Sequence, residues 1–389
     1  MSVSTAPAAV DVATVSVSYR CLIDALKAAG LLAGGTRPTF RHIEVAAADG
    51  RLTLTAADPT TAVTATVAAA IDGAPQRAMV QWAELSKLLP AAVKGTAKRQ
   101  LDQLDLTLEI SDQSLTVGVA GYQLPVTVAP DATLPTIPDT TPGTHVVNRD
   151  EFAAMFARVV VAASNDQQYL PLFSKVETVL GHDTLTMTAT DRYRVARGTV
   201  AANGTSDQSV LLPAALVTKL LPFCTDHIFL GTDTVDNDEW ITFHSGPITA
   251  KIRSTNETFP RLGHIIDQPN PDIATVDRDQ LRIAADRANA ITGVLANRGT
   301  AAQIVIDTDQ LSIIPGTRDG HTATAPTIPA NTTTDQTWTG GINPTYLADA
   351  IAHITGDTVA LEYTRPGKPI KLTGDDTYEH VIMLMRLPN

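Results

Sequence analysis

The chain has 389 residues, 44% hydrophobic and 18% charged, with a formal net charge of −12. That length suits two or three domains with cores of their own, and the composition excludes a largely disordered chain. The acidic balance excludes an exterior that binds nucleic acid over its whole surface.

In chain order, the first helical pattern is YRCLIDALKAA (19–29). The strand RLTLTA follows, with Leu52 and Leu54 on one face and Thr53 and Thr55 on the other. A second helix is expected at WAELSKLLPAAV (82–93), then paired strands at 106–120 turning at Asp112, Gln113 and Ser114. The segment 135–143, dense in Pro and Asp, reads as a linker. A helix at 151–163 carries the stripe Phe152, Met155, Phe156 and Val159, with Asp150 as its expected N-cap. Further helices are expected at 213–223, 280–291 and 343–354, with a proline in the first turn of the 213–223 and 343–354 segments. A second linker falls at 267–272, and a strand pair at 358–374 turns at residues 365–368.

These elements repeat. LTLTAAD (52–58) returns as LTMTATD (185–191), and SKLLP (86–90) as TKLLP (218–222), both about 130 residues on; QLSII (310–314) and PTYLADAI (344–351) mark a fainter third copy. The fold class expected is α+β, three units at 13–140, 145–266 and 272–389, each with two helices laid on antiparallel sheet. Cys21 and Cys224 fall in different units, which argues against a disulfide framework and fits a reducing cytoplasm. No secretion signal or run of about 18 apolar residues stands in the sequence, so neither export nor a membrane span is expected.

The familiar catalytic signatures are missing: no G-x-S-x-G elbow, P-loop, G-x-G-x-x-G turn, H-E-x-x-H helix or C-x-x-C pair. Nine histidines are scattered without metal-ligand spacing, so no metal and no cofactor are expected. Asp58 and Asp191 end equivalent strands and read as turn-initiating residues bonded to backbone amides. Basic residues fall in or beside helical segments: Lys27, Lys87, Lys94, Lys98, Arg99, Arg158, Lys219, Arg282, Arg287 and Arg298.

Four blocks, TATDRYRVA (188–196), ETFPRLGHII (257–266), INPTYLADAI (342–351) and HVIMLMRLPN (380–389), together resemble the bacterial replicative sliding clamp, the beta subunit of DNA polymerase III. The resemblance runs in order from about residue 13 onward and includes the threefold repeat. It implies three clamp domains forming half of a closed six-domain ring, made by two chains head to tail, with helices lining a hole that holds duplex DNA. Such a protein is no enzyme. Its partners are DNA of any sequence, held by enclosure, and the replicative polymerase, clamp loader and repair proteins, which insert a short apolar-ended peptide into a groove between the second and third domains.

By position, the resemblance places Leu170, Thr190, Arg192, Tyr193, Arg194, Val195, Pro260, His264, Ile265, Met383, Leu384, Met385, Arg386 and Leu387 at that groove. It assigns DNA contact to Arg37, Gln168 and Tyr169, beside the helical cations Lys87, Lys94, Lys219 and Arg282. Gln167 and Gln168 replace the arginine usual in that loop, which implies weaker phosphate binding. Leu124 and Val126 would meet Ala290 and Ile291 across the dimer interface. Departures gather at the groove: Arg192-Tyr193 stands for Gly-His, His264 for an arginine and Leu384 for a proline. They leave open a second reading, a clamp-like scaffold or adaptor, or a second or inhibitor-resistant clamp with altered peptide specificity.

Overall fold

The computed structural model describes residues 11–34, 40–166, 168, 170–255, 257–296, 300–318, 321–365, 367–375 and 377–387. Arg37, Gln167, Tyr169 and Arg298 lie outside the described residues.

One element order recurs along the chain: a strand, a helix, a three-strand meander, a fourth strand, a second helix and a closing meander. The first copy opens with β1 (Ala13–Ser18), α1 (Tyr19–Ala33), β2 (His42–Ala48), β3 (Arg51–Asp58) and β4 (Thr61–Ala68). After a short β5 (Ala70–Asp72) come β6 (Gln76–Gln81), α2 (Trp82–Ala92), a one-turn α3 (Lys98–Leu101), β7 (Asp105–Ile110), β8 (Leu115–Val119) and β9 (Tyr122–Val126). The second copy runs β10 (His145–Asn148), α4 (Arg149–Val159), β11 (Lys175–Leu180), β12 (Thr184–Thr190) and β13 (Arg194–Ala201). It closes with β14 (Gln208–Pro213), α5 (Ala214–Leu220), β15 (His227–Val235), β16 (Asp238–Ser245) and β17 (Ile248–Arg253). A one-turn α6 (Gly263–Ile266) precedes the third copy: β18 (Asp272–Asp277), α7 (Arg278–Leu295), β19 (Ala302–Asp307), β20 (Gln310–Ile314) and β21 (Thr327–Thr332). That copy ends in β22 (Trp338–Ile342), α8 (Pro344–Ala352), β23 (Thr358–Tyr363), β24 (Ile370–Asp375) and β25 (Tyr378–Ile382).

Each copy exchanges strands between its halves. The opening strand pairs with the closing meander, as β1 with β7, β10 with β15 and β18 with β23. The strand before the second helix pairs back with the first meander, as β6 with β2, β14 with β11 and β22 with β19. All six pairings are antiparallel.

The chain groups into two compact units, residues 1–149 with 219–255 and residues 150–218 with 256–389. The first holds a five-stranded sheet, β5-β1-β7-β8-β9, and an eight-stranded one, β10-β15-β16-β17-β4-β3-β2-β6. The second holds one twelve-stranded sheet, β14-β11-β12-β13-β25-β24-β23-β18-β21-β20-β19-β22, in which the β13–β25 pair carries the second repeat into the third.

The cores follow the sequence periodicity. Leu22, Ala25, Leu26 and Ala29 form the buried stripe of α1, and Leu52 and Leu54 alternate inward on β3. Gly30 lets α2 approach α1, since a Cβ there would lie 2.5 Å from the Trp82 ring, whose Nε1 donates to the Leu26 carbonyl at 2.8 Å. In α4 the expected stripe of Phe152, Met155, Phe156 and Val159 is buried, with the two phenylalanine rings stacked at 5.6 Å.

Two boundary details differ from expectation. The α4 helix starts at Arg149, so Asp150 sits in the first turn beside Glu151, where its charge favours the helix N-terminus, rather than at the cap. Pro213 ends β14, because its register with Lys175 continues the sheet to that residue, whereas Pro344 does open α8 after the Asn343 cap.

Candidate functional site

Most of the expected groove residues gather in the second unit, where β13 meets β25. Thr190 ends β12, and Asp191 then turns the chain: its carboxylate accepts from the amides of Tyr193 at 3.0 Å and Arg194 at 3.1 Å. The Thr190 hydroxyl donates to the Arg194 carbonyl at 2.7 Å and accepts from the Arg192 amide at 3.1 Å. The turn places Arg192 at φ +80°, a left-handed conformation that only glycine adopts without strain. Arg192 and Tyr193 are thereby held out in solvent, while Arg194 points inward.

Arg194 is buried and fully engaged. Its Nε donates to Asp191 at 3.0 Å, its Nη1 to Asp349 of α8 at 2.7 Å, and its Cζ lies 4.3 Å from the centre of the Tyr346 ring. A guanidinium at such a depth is tolerable only when paired in this way, and the aromatic face adds a cation–π attraction. Burial, and then the Asp191 charge, push the Tyr346 phenol above its ordinary value. Tyr346 and Asp349 stand three residues apart on α8 and so share one helical face.

The apolar base consists of buried Val195, Ile266 and Val381, with Leu262 and Ile265 packed against them. Beyond the end of β25, the Met383 amide donates to the Tyr193 carbonyl and the Met385 amide to the Gly341 carbonyl, both at 2.8 Å. These bonds hold the chain extended, so Met383 and Met385 project to one side and remain 38% and 37% exposed next to Tyr193 at 56%. Flexible thioethers beside an aromatic ring make a surface that several related apolar side chains can fit.

Behind this surface lies His380, wholly buried on β25, with its Nδ1 2.9 Å from the Tyr378 hydroxyl. That hydroxyl donates to the Arg158 carbonyl at 2.9 Å, so Nδ1 carries the proton it gives to the tyrosine oxygen, and Nε2 is a bare acceptor with no hydrogen-bond partner. Burial, reinforced by the charges of Arg194 and His353, pushes the imidazole down to about 3.

The remaining expected groove residues are placed less centrally. Pro260 and Leu384 are half-buried, and His264 is exposed with Nδ1 2.9 Å from the Arg261 carbonyl. Arg386 is exposed, while Leu387 lies half-buried against Gly341, where a Cβ would come within 3.1 Å of it. Leu170 is half-buried in a separate segment, its amide bonded to the Asp166 carbonyl at 3.1 Å, and does not join the packing just described. The sequence reading missed the contributions of Tyr346 and Asp349, although both stand in PTYLADAI, and it saw Asp191 only as a turn residue.

Of the cations expected to meet DNA, Lys87, Lys94 and Lys219 are exposed, as is Gln168. Arg282 is exposed on α7 but sits 3.8 Å from Asp279 and 3.7 Å from Asp286, so much of its charge is compensated locally. At the expected dimer contacts, Leu124 is half-buried on β9, the edge strand of its sheet, and Ala290 and Ile291 are exposed on α7. Val126 departs from expectation: it is 5% exposed and its side chain belongs to the core of its own unit. Among the described residues no group of three or more His, Cys, Asp or Glu is disposed to hold a metal, and no helix is long and apolar enough to cross a membrane.

This fold is that of the sliding clamps. A solved DNA polymerase III beta subunit from Thermotoga maritima superposes with a TM-score of 0.82 at 18% identity, over 97% of this chain and 100% of that one. The beta sliding clamp of Micrococcus luteus is 27% identical over 232 residues, 58% of this chain and 72% of its own length. That of Streptomyces coelicolor is 22% identical over 364 residues, 90% of this chain and 92% of its own. Residues 264–386 match the family model for the DNA polymerase III beta subunit, C-terminal domain. The chain is thus similar to DNA polymerase III beta subunits in fold along nearly its whole length and to their C-terminal domain in sequence over residues 264–386.

Proposed function

We propose that this chain is a DNA sliding clamp, a non-catalytic processivity factor that closes with a second copy, head to tail, into a six-domain ring around duplex DNA. The observation that carries this reading is the likeness in fold to a polymerase beta subunit over 97% of the chain. The thrice-repeated element order supports domains at 13–140, 145–266 and 272–389. A clamp that slides needs few and sequence-independent phosphate contacts, because each strong ion pair adds salt-sensitive affinity. The net charge of −12, the few exposed helical lysines and the locally compensated Arg282 all fit a hold that comes from enclosure.

The groove built on Arg194, Tyr193, Met383 and Met385 is the surface that takes the peptide segments of a polymerase, a loader and repair proteins. The exposed face of α7 at Ile291 and the β9 edge at Leu124 are the ring-closing surfaces, and the cytoplasm is the compartment. The relatives are clamps by name, which weighs against an adaptor that never closes on DNA.

The test is topological. Loaded onto a nicked circular duplex, the protein is expected to stay with the circle through gel filtration and to run off once the circle is cut. Equal retention on circular and linear DNA, or none on either, would overturn the reading.

A further inference from the structure

The rim of the groove carries charge of one sign. Arg192, Arg261 and Arg386 are exposed, and none has a carboxylate within ion-pair distance among the described residues. The carboxylates that neighbour the groove are occupied: Asp191 and Asp349 by Arg194, and Asp267 by Arg197. Positive charge left uncompensated in a chain of net charge −12 is unusual enough to ask what it is for. It surrounds an apolar centre, since Arg192 leans over the Tyr193 ring at 5.8 Å, Arg386 follows the half-exposed Met385, and Arg261 adjoins the Leu262 that packs on the Val195 cluster. Arg192 also occupies a backbone position where glycine would be unstrained, so its side chain is kept there against a conformational cost.

Resting on the reading of this surface as a peptide groove, we propose that it selects an acidic peptide, one whose apolar terminal residues settle on Met383, Met385 and Tyr193 while carboxylates just before them meet Arg192 and its neighbours. Arg192 is the specificity-determining residue. Apolar contact supplies the anchor, and the guanidinium rim discriminates between flanks through charge complementarity and accelerated encounter.

The test compares two synthetic peptides ending in Leu-Phe, one preceded by three aspartates and the other by three asparagines, by calorimetry with the full chain at low and high salt. The aspartate peptide is expected to bind about fivefold to tenfold more tightly at low salt, the conversion of one to two exposed ion pairs into affinity, with the ratio falling toward one as salt rises. Arg192→Gln, checked for an unchanged melting profile, is expected to remove most of the ratio; an undiminished ratio would overturn the role given to Arg192. Equal binding of the two peptides overturns the acidic preference and leaves the groove reading standing. Failure of both to bind overturns the groove reading with it. Displacement of the aspartate peptide by a short single-stranded DNA at the same salt overturns the proposal in favour of phosphodiester as the rim's partner.

Discussion

The turn after β3 and the turn after β12 are copies of one another, and only one has become a site. In the first, the Asp58 carboxylate accepts from the amides of Thr60 and Thr61, both at 2.8 Å, and from the Thr60 hydroxyl at 2.7 Å. In the second, Asp191 takes the amides two and three residues on in the same way and then a guanidinium as well. The residue in the place of Thr61 is Arg194, and the one in the place of Pro59 is Arg192 at φ +80°. An inherited backbone device has thus acquired a buried cation, a second carboxylate from α8 and an aromatic lid, with one carboxylate serving both turn and charge.

The contrast predicts unequal costs. Asp191→Ala leaves the buried Arg194 with Asp349 as its remaining ion-pair partner and removes the turn's amide acceptor as well, and should lower stability by about 3 kcal/mol. Asp58→Ala removes bonds from an exposed turn and should cost only about 1 kcal/mol. Denaturant titration of both variants checks this, and equal losses would mean that Arg194 finds other compensation.

A pH titration sharpens the comparison next, because the polar cluster behind the second turn includes His380. Its imidazole is held down to about 3 when folded, so the native state refuses a proton that the unfolded chain accepts near its ordinary value. The stability this gives is complete above an unfolded value of about 6.5 and is lost as the pH falls from there toward 3, by up to roughly 1.4 kcal/mol per pH unit. His380→Phe is expected to flatten that part of the stability profile relative to the parent chain; an unchanged slope would locate the acid sensitivity elsewhere.

The smallest effects should carry opposite signs. Arg192→Gly relieves a left-handed residue and is expected to stabilise by up to about 1 kcal/mol, whereas Pro59→Gly loosens the unfolded chain and should destabilise by about 0.4–1 kcal/mol. Melting temperatures that move in the same direction for both would show that the two turns are under the same backbone constraint.

Much of this architecture was legible in the sequence. The alternation of Leu52 and Leu54, the stripe from Phe152 to Val159 and the recurrence of LTLTAAD as LTMTATD specify local structure, because burial selects residues at fixed periods. The exchange of strands between the halves of each repeat was not legible, since strand pairing over long separations leaves no local period. At the site, the turn role of Asp191 was readable from its place at a strand end. Its partnership with Arg194, Tyr346 and Asp349 was not, because α8 joins the cluster from more than a hundred residues away. Val126 misled for a related reason: alternation on β9 fixes that Val126 and Leu124 share a face, but not how deep each sits, and here one is buried and the other half-exposed.

That strand exchange has a consequence during synthesis. While α1 and the first meander leave the ribosome, β1 has no partner; β5 then covers three of its residues, and β7, which pairs along the whole strand, emerges only some ninety residues after β1. The same wait recurs for β10, which pairs with β15 of its closing meander, whereas β18 gains β21 of its own first meander before β23 arrives. The first two repeats therefore present a largely open edge until their closing meanders have emerged, which makes the nascent chain the state most exposed to aggregation.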